Sequence, residues 1–226
     1  AARPPRVPPR AAPGMGRWGE CERGAKLGGP IHRKAVMFLS RFLASRYAGD
    51  GELSLSASLA FEQAYGGVEG DSAAVAETCV LLSAIARVPI KQAFAVTGSM
   101  NQHGEVQAVG GVNEKIEGFF DVCKEAGDVR GQGVLLPASN VEHLMLRADV
   151  RQAIAEDRFR IYPISSINEA IELLTGLEPG EPDSNGEFPE NSFNHRVAER
   201  LEKFAEASKK RDENGEANSS GGKDRD

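Results

Sequence analysis

Between residues 26 and 177 the chain switches repeatedly between apolar spacings of three to four residues and apolar alternations of two. Few folds survive that constraint. Residues 32–47 place Val36, Leu39, Phe42 and Leu43 on one helical face. Residues 53–60 alternate apolar with small polar side chains, as a half-buried strand does. A glycine-rich turn, Gly66-Gly67-Val68-Glu69-Gly70-Asp71-Ser72, leads into a strongly apolar helix over 73–86 that ends near Pro89. Residues 93–96 and 105–109 read as two strands of a hairpin joined by Asn101-Gln102-His103-Gly104. Asn113 is expected to cap a helix through 125 that turns Ile116, Phe119, Phe120 and Cys123 inward. A short buried strand at 134–136, a helix from Asn140 to about 156, a strand at 159–164 and a helix over 166–174 closed by Gly176 complete the series. The pattern predicts a single mixed α/β (α+β) domain over residues 26–177.

The flanks differ. Residues 1–18 hold five prolines and four arginines, so 1–25 is expected to be an irregular Pro/Arg-rich segment. Residues 178–226 carry 13 acidic and 8 basic side chains, which accounts for most of the net charge of -6. They are expected to form an acidic, largely disordered tail. Val197, Leu201 and Phe204 set a short helix around 194–210 within it, and the end beyond 212 reads as disordered. No net basic field exists to draw in nucleic acid. No apolar run is long enough for a transmembrane helix, and the start shows no apolar signal-peptide core and no initiator methionine, so a fragment is expected. Cys21, Cys79 and Cys123 are odd in number and lack CxxC spacing, which fits buried thiols in a reducing compartment.

Two positions could carry chemistry. Ser72 stands where the glycine-rich turn becomes a helix, beside unpaired backbone N–H groups and the positive end of the helix dipole. Ala73 and Ala74 leave room for a peptide to approach. A serine or aspartate there also serves as an ordinary N-cap, and the residues alone leave that reading open. A phosphate loop is excluded because no Gly-Lys-Ser/Thr follows the glycines, and the stretch from Gly19 to Lys26 fails the same pattern. Lys115 falls in the first turn of the next helix, where the dipole disfavours a cation. Such a placement suits a lysine that must be neutral, although neutralising an ordinary lysine at pH 7 costs roughly 4.6 kcal/mol. A solvated lysine beside Glu114 and Glu117 is the plain alternative. His32, His103, His143 and His195 have no metal-ligand spacing, and a triad through His103 stays open at this level.

GGVEGDSAA around Ser72 and TGSMNQHGEVQAVGGVNEKIEGF around Lys115 resemble the paired signatures of the Lon protease family. LGGPIHRKAVMFLSRFLASRYA, LSLSASLAFEQAYGGVEGDSA and GVLLPASNVEHLML are similar too, and point to the bacterial Lon-related branch near the archaeal-type enzymes. The 43-residue separation agrees with the family pattern. The resemblance implies a compact α/β proteolytic domain and a Ser-Lys dyad, with Ser72 as nucleophile and Lys115 as general base, and it demotes His103. It gives Thr97, Glu69 and Asp71 supporting roles. It further implies cytoplasmic degradation of unfolded protein or peptide substrates by a homo-oligomer, a hexameric ring. No metal and no bound cofactor are expected here. ATP is expected to act through an AAA+ module of the parent chain, since no P-loop occurs in this one. The first 18 residues depart from what usually precedes LGGPIH. A self-cleaving Ser-Lys protease and an inactive, truncated interaction module that keeps the fold are the alternative functions.

Overall fold

The computed structural model describes residues 6–13, 18–20, 30–48, 55–59 and 70–220. In chain order its elements are β1 (Pro9–Pro13), β2 (Trp18–Glu20), α1 (Pro30–Tyr47), β3 (Leu55–Leu59), α2 (Ala74–Ala86), β4 (Phe94–Val96), β5 (Ser99–Met100), β6 (Val106–Gln107), α3 (Val112–Glu125), β7 (Gln132–Pro137), a 3-10 turn (Ala138–His143), α4 (Ala148–Ala155), β8 (Phe159–Ile164), α5 (Ile167–Thr175) and α6 (Phe193–Ser220). The mixed α/β class expected from the alternation is the one found. Glu69, the glycines at 66 and 67, Cys21 and residues 221–226 lie outside the described residues.

The sheet that positions the site has the order β4-β7-β8, all parallel. Parallel strands need both faces covered, and β7 shows it. Leu135 points into one hydrophobic cluster, while Val134 and Leu136 point into the other. The first cluster gathers α1, α2, α5 and α6. The second is closed by α3 and α4, with Val112, Ile116, Phe120 and Cys123 spaced along one face of α3. Cys79 and Cys123 are both buried and unpaired.

The Pro/Arg-rich start contributes structure where an irregular segment was expected. β1 runs antiparallel to β3 and β2 runs parallel to it on the other side, in the order β1-β3-β2. Pro9 and Pro13 fit because β1 is an edge strand, where an absent N–H breaks no ladder on the open side. At the other end α6 is much longer than the short helix expected, and the buried core runs past residue 177. Phe193, Val197, Leu201 and Phe204 all lie in the first cluster.

Three local expectations change. The strand over 94–96 pairs with β7 instead of with residues 105–109, and the hairpin shrinks to Ser99–Met100 against Val106–Gln107. The reason is that Gly98 is engaged elsewhere: its N–H donates to the Ser72 carbonyl and its carbonyl accepts from the Val75 N–H. Asn113 is not a cap. α3 begins at Val112 after Gly111, and the Asn113 amide instead holds the His143 carbonyl (3.3 Å) and the Met145 N–H (2.8 Å). Asn140 starts no long helix either. It sits buried in the 3-10 turn, and α4 begins only at Ala148.

Candidate active site

Ser72 lies in the turn immediately before α2, and it does not cap the helix. The N-cap is Ala73, with no side-chain cap bond. Asp71 does not cap either: its Oδ2 accepts from Ser99 Oγ at 2.8 Å. The ordinary explanation for a serine or aspartate at a helix start therefore fails for both residues. The turn is held by backbone instead. Ala74 N–H donates to the Asp71 carbonyl (3.0 Å), Val75 N–H to the Gly98 carbonyl (3.1 Å) and Gly98 N–H to the Ser72 carbonyl (2.8 Å). Gly70 adopts φ +98°, which a side chain rarely tolerates, so the glycine there sets the direction of the turn. Among the described residues, no backbone carbonyl accepts from the N–H of Ser72 or Ala73.

Gly98 permits the close approach. A Cβ there would stand 2.8 Å from Val75 Cγ2 and 3.3 Å from Val106 Cγ1, and Val75 is wholly buried. Gly98→Ala is therefore expected to destabilise the fold by about 1–3 kcal/mol and to push the serine turn off the end of β4. Urea denaturation reads the first effect, and the rate at which a serine-directed probe labels Ser72 reads the second.

The end of β4 brings the lysine to the serine turn. Thr97 N–H continues the parallel ladder to the Leu135 carbonyl at 3.0 Å. Thr97 Oγ1 then donates to the Ser72 carbonyl and accepts from Lys115 Nζ, both at 3.3 Å. Lys115 is exposed as a residue, but its ammonium end is partly buried where it meets Thr97. That loss of solvent lowers its pKa below the ordinary lysine value, and the Asp71 carboxylate opposes the shift. Lys115 thus approaches Ser72 through Thr97, and no hydrogen bond joins its Nζ to Ser72 Oγ among the described residues.

The structure brings together Ser72, Lys115, Thr97 and Asp71. His103 stays in its own turn, where its N–H donates to Asn101 Oδ1 and its ring meets Gln102, with no bond to Ser72 or Asp71. Ser99 was not singled out from the sequence. It is 4% exposed and bonds Asp71, and only its position directly after Thr97-Gly98 could have drawn notice. Among the described residues, no group of His, Cys, Asp and Glu is placed to hold a metal ion.

The sequence pattern of the Lon protease (S16) C-terminal proteolytic domain matches residues 64–176, the stretch that contains every member of this site. The chain belongs to that family. A putative Lon protease homolog of Escherichia coli K12 is 45% identical over 164 residues, which cover 73% of this chain and 28% of that protein. The putative Lon protease homolog of Haemophilus influenzae is 41% identical over 193 residues, 84% of this chain and 32% of its own. An archaeal Lon protease from Archaeoglobus fulgidus is 35% identical over 151 residues, 67% of this chain and 22% of its own. The chain thus spans less than a third of the length of these Lon relatives. Both the bacterial homologs and the archaeal enzymes are similar to it, in line with the branch that the sequence motifs resemble.

Proposed function

We propose that this chain is the serine endopeptidase domain of an ATP-dependent Lon-type protease, acting through a Ser72–Lys115 dyad. The observation that carries the reading is the bonded series Lys115 Nζ, Thr97 Oγ1, Ser72 carbonyl, with a lysine whose pKa is lowered by desolvation. Neutral Lys115 takes the proton from Ser72 as Oγ attacks the peptide carbonyl, and returns it to the leaving amine. Water then attacks the acyl-enzyme with Lys115 again as base, restoring the Ser72 hydroxyl and releasing the new carboxylate. The N–H groups of Ser72 and Ala73, at the positive end of α2 and without a described backbone acceptor, donate to the oxyanion in this reading. The lysine must add Ser72 Oγ to its partners during this cycle, a side-chain movement of the kind catalytic hydrogen bonds make when substrate arrives.

The rest of the reading concerns the parent protein. Its substrates are unfolded proteins, threaded to the site by an AAA+ module that hydrolyses ATP, in a homo-hexameric cytoplasmic ring. Family membership and the greater length of the relatives support that reading. The two buried, unpaired cysteines suit a reducing compartment. No helix among the described residues is long and apolar enough to cross a membrane.

A fluorophosphonate probe tests the dyad. Ser72 in the wild-type chain is expected to label, Ser72→Ala not at all, and Lys115→Ala at least about a hundredfold more slowly. Wild-type labelling speed in the Lys115→Ala protein, shown by circular dichroism to be folded, would remove the lysine from the mechanism.

A further inference from the structure

Asn140 makes two bonds that no catalytic assignment calls for. Its Oδ1 accepts from the Val109 N–H at 2.9 Å, and its Nδ2 donates to the Val109 carbonyl at 3.0 Å. One amide therefore reads both polar groups of a single residue, as a neighbouring strand would. The side chain is 5% exposed, so these are its main means of satisfying a buried amide.

The two partners occupy telling positions. Asn140 stands three residues after β7 ends at Pro137. Val109 stands three residues before α3 begins at Val112, and Lys115 lies in the first turn of that helix. Meanwhile Leu135, within β7, accepts from the Thr97 N–H. The end of β7 thus holds both halves of the site. Leu135 fixes Thr97, which bonds the Ser72 carbonyl, and Asn140 fixes the chain that delivers Lys115. The grip extends further along α3: the Asn113 side chain holds Met145 N–H, Glu117 Oε1 accepts from Arg147 N–H, and Asp121 pairs with the Arg147 guanidinium. Those contacts are exposed and worth little singly. The Asn140 clamp is the least exposed of these contacts, and it acts on the Val109-Gly110-Gly111 stretch that joins the hairpin to α3.

We infer that Asn140 is a positioning residue for the dyad, setting where α3 presents Lys115 relative to Thr97 and Ser72 by clamping Val109. The inference rests on the Ser72–Lys115 reading. Asn140 bonds Val109 and touches neither Ser72 nor Lys115. Loosening the clamp lets the start of α3 move outward, so that Lys115 spends less time at Thr97 and more in solvent. What changes is the burial of its ammonium end, the main cause of its lowered pKa; the charged neighbours stay, with Asp71 opposing the shift from the serine turn and Glu114 and Glu117 beside it in α3.

The test uses the full 226-residue chain and fluorophosphonate labelling of Ser72 as a function of pH. Four proteins are compared: wild type, Asn140→Ala, Asn140→Asp and Lys115→Ala. Asn140→Ala is expected to label about 10-fold to 100-fold more slowly. The rising limb of its pH profile is expected at higher pH than in wild type, toward ordinary lysine behaviour. A side chain that served stability alone would lower the melting temperature and leave that limb where it is. Asn140→Asp keeps an acceptor for the Val109 N–H and loses the donor, so an intermediate rate is expected. It also decides the matter if the alanine protein does not fold. Wild-type rate and profile in the folded Asn140 variants would overturn the positioning role, while loss of labelling in Lys115→Ala left the dyad intact. Undiminished labelling in Lys115→Ala would instead overturn the dyad.

Discussion

Lys115→Arg is expected to leave no more than roughly a thousandth of the wild-type rate of peptide cleavage, a loss comparable to removing the side chain. The substitution keeps the positive charge and a donor for Thr97 Oγ1, on a somewhat longer, planar head group. It removes the ability to give up a proton, because a guanidinium stays protonated in proteins. A lysine that merely neutralised Asp71 or packed against Thr97 would tolerate the change. The pH dependence follows with a definite sign. In the proposed dyad the neutral lysine is the active form, so the rate is expected to rise with pH through the Lys115 pKa and level off above it. Desolvation at Thr97 draws that pKa below the ordinary value, and the Asp71 carboxylate opposes the shift. Asp71→Asn keeps an acceptor for Ser99 Oγ and deletes the opposing charge, so its rising limb is expected at lower pH than in wild type. Steady-state cleavage of an unfolded substrate by the proposed parent protein, followed across pH, checks both outcomes. A limb that stays put in Asp71→Asn would show that the carboxylate does not act on the base.

Phe193→Ala is expected to cost about 3–5 kcal/mol of stability, read as a fall in the urea midpoint at unchanged slope. Phe193 is fully buried in the cluster that α1, α2 and α6 share, at the start of a helix whose Val197, Leu201 and Phe204 follow it into the same core. Its backbone N–H donates to the Glu178 carbonyl, and the next residue, Asn194, is tied into the fold by its side chain. The Asn194 amide donates to the Gly180 carbonyl and accepts from the Tyr47 hydroxyl. None of these residues belongs to the site. Below its own unfolding transition, the alanine protein should therefore still label at Ser72, which separates a loss of fold from a loss of chemistry.

Much of this architecture was legible in the sequence because its elements follow strong local patterns. The apolar run of α2, the face of α3 formed by Ile116, Phe120 and Cys123, and the stop of α5 at Gly176 are set by periodicity and end chemistry. Long-range pairing was not legible. Residues 94–96 carry no local sign that their partner is β7 and not the segment across the nearby turn. That choice depends on Gly98 being taken by the serine turn, which only the folded chain shows. Asn113 and Asn140 read as caps because asparagine favours helix starts, yet tertiary partners claimed both amides. Val197, Leu201 and Phe204 did mark a helix around 194–210, but the acidic composition of 178–226 hid its length and its place in the core, because its buried apolar side chains are spread thinly among charged ones. At the site, Ser72 and Lys115 were each ambiguous alone. The cap reading of Ser72 fell only when the cap position proved to be Ala73.

The sharing of one core by α2 and α6 also has a consequence in time. A ribosome delivers the chain from its N-terminus, and Ser72 and Lys115 emerge well before Phe193, Val197, Leu201 and Phe204. Until those four side chains arrive, the helix that follows Ser72 has an uncovered apolar flank and the turn ahead of it lacks a settled support. A nascent chain halted before residue 193 should thus carry both residues of the proposed dyad and still be unable to hold them in register. Synthesis order alone would delay the cutting edge of such a domain until its last helix has docked.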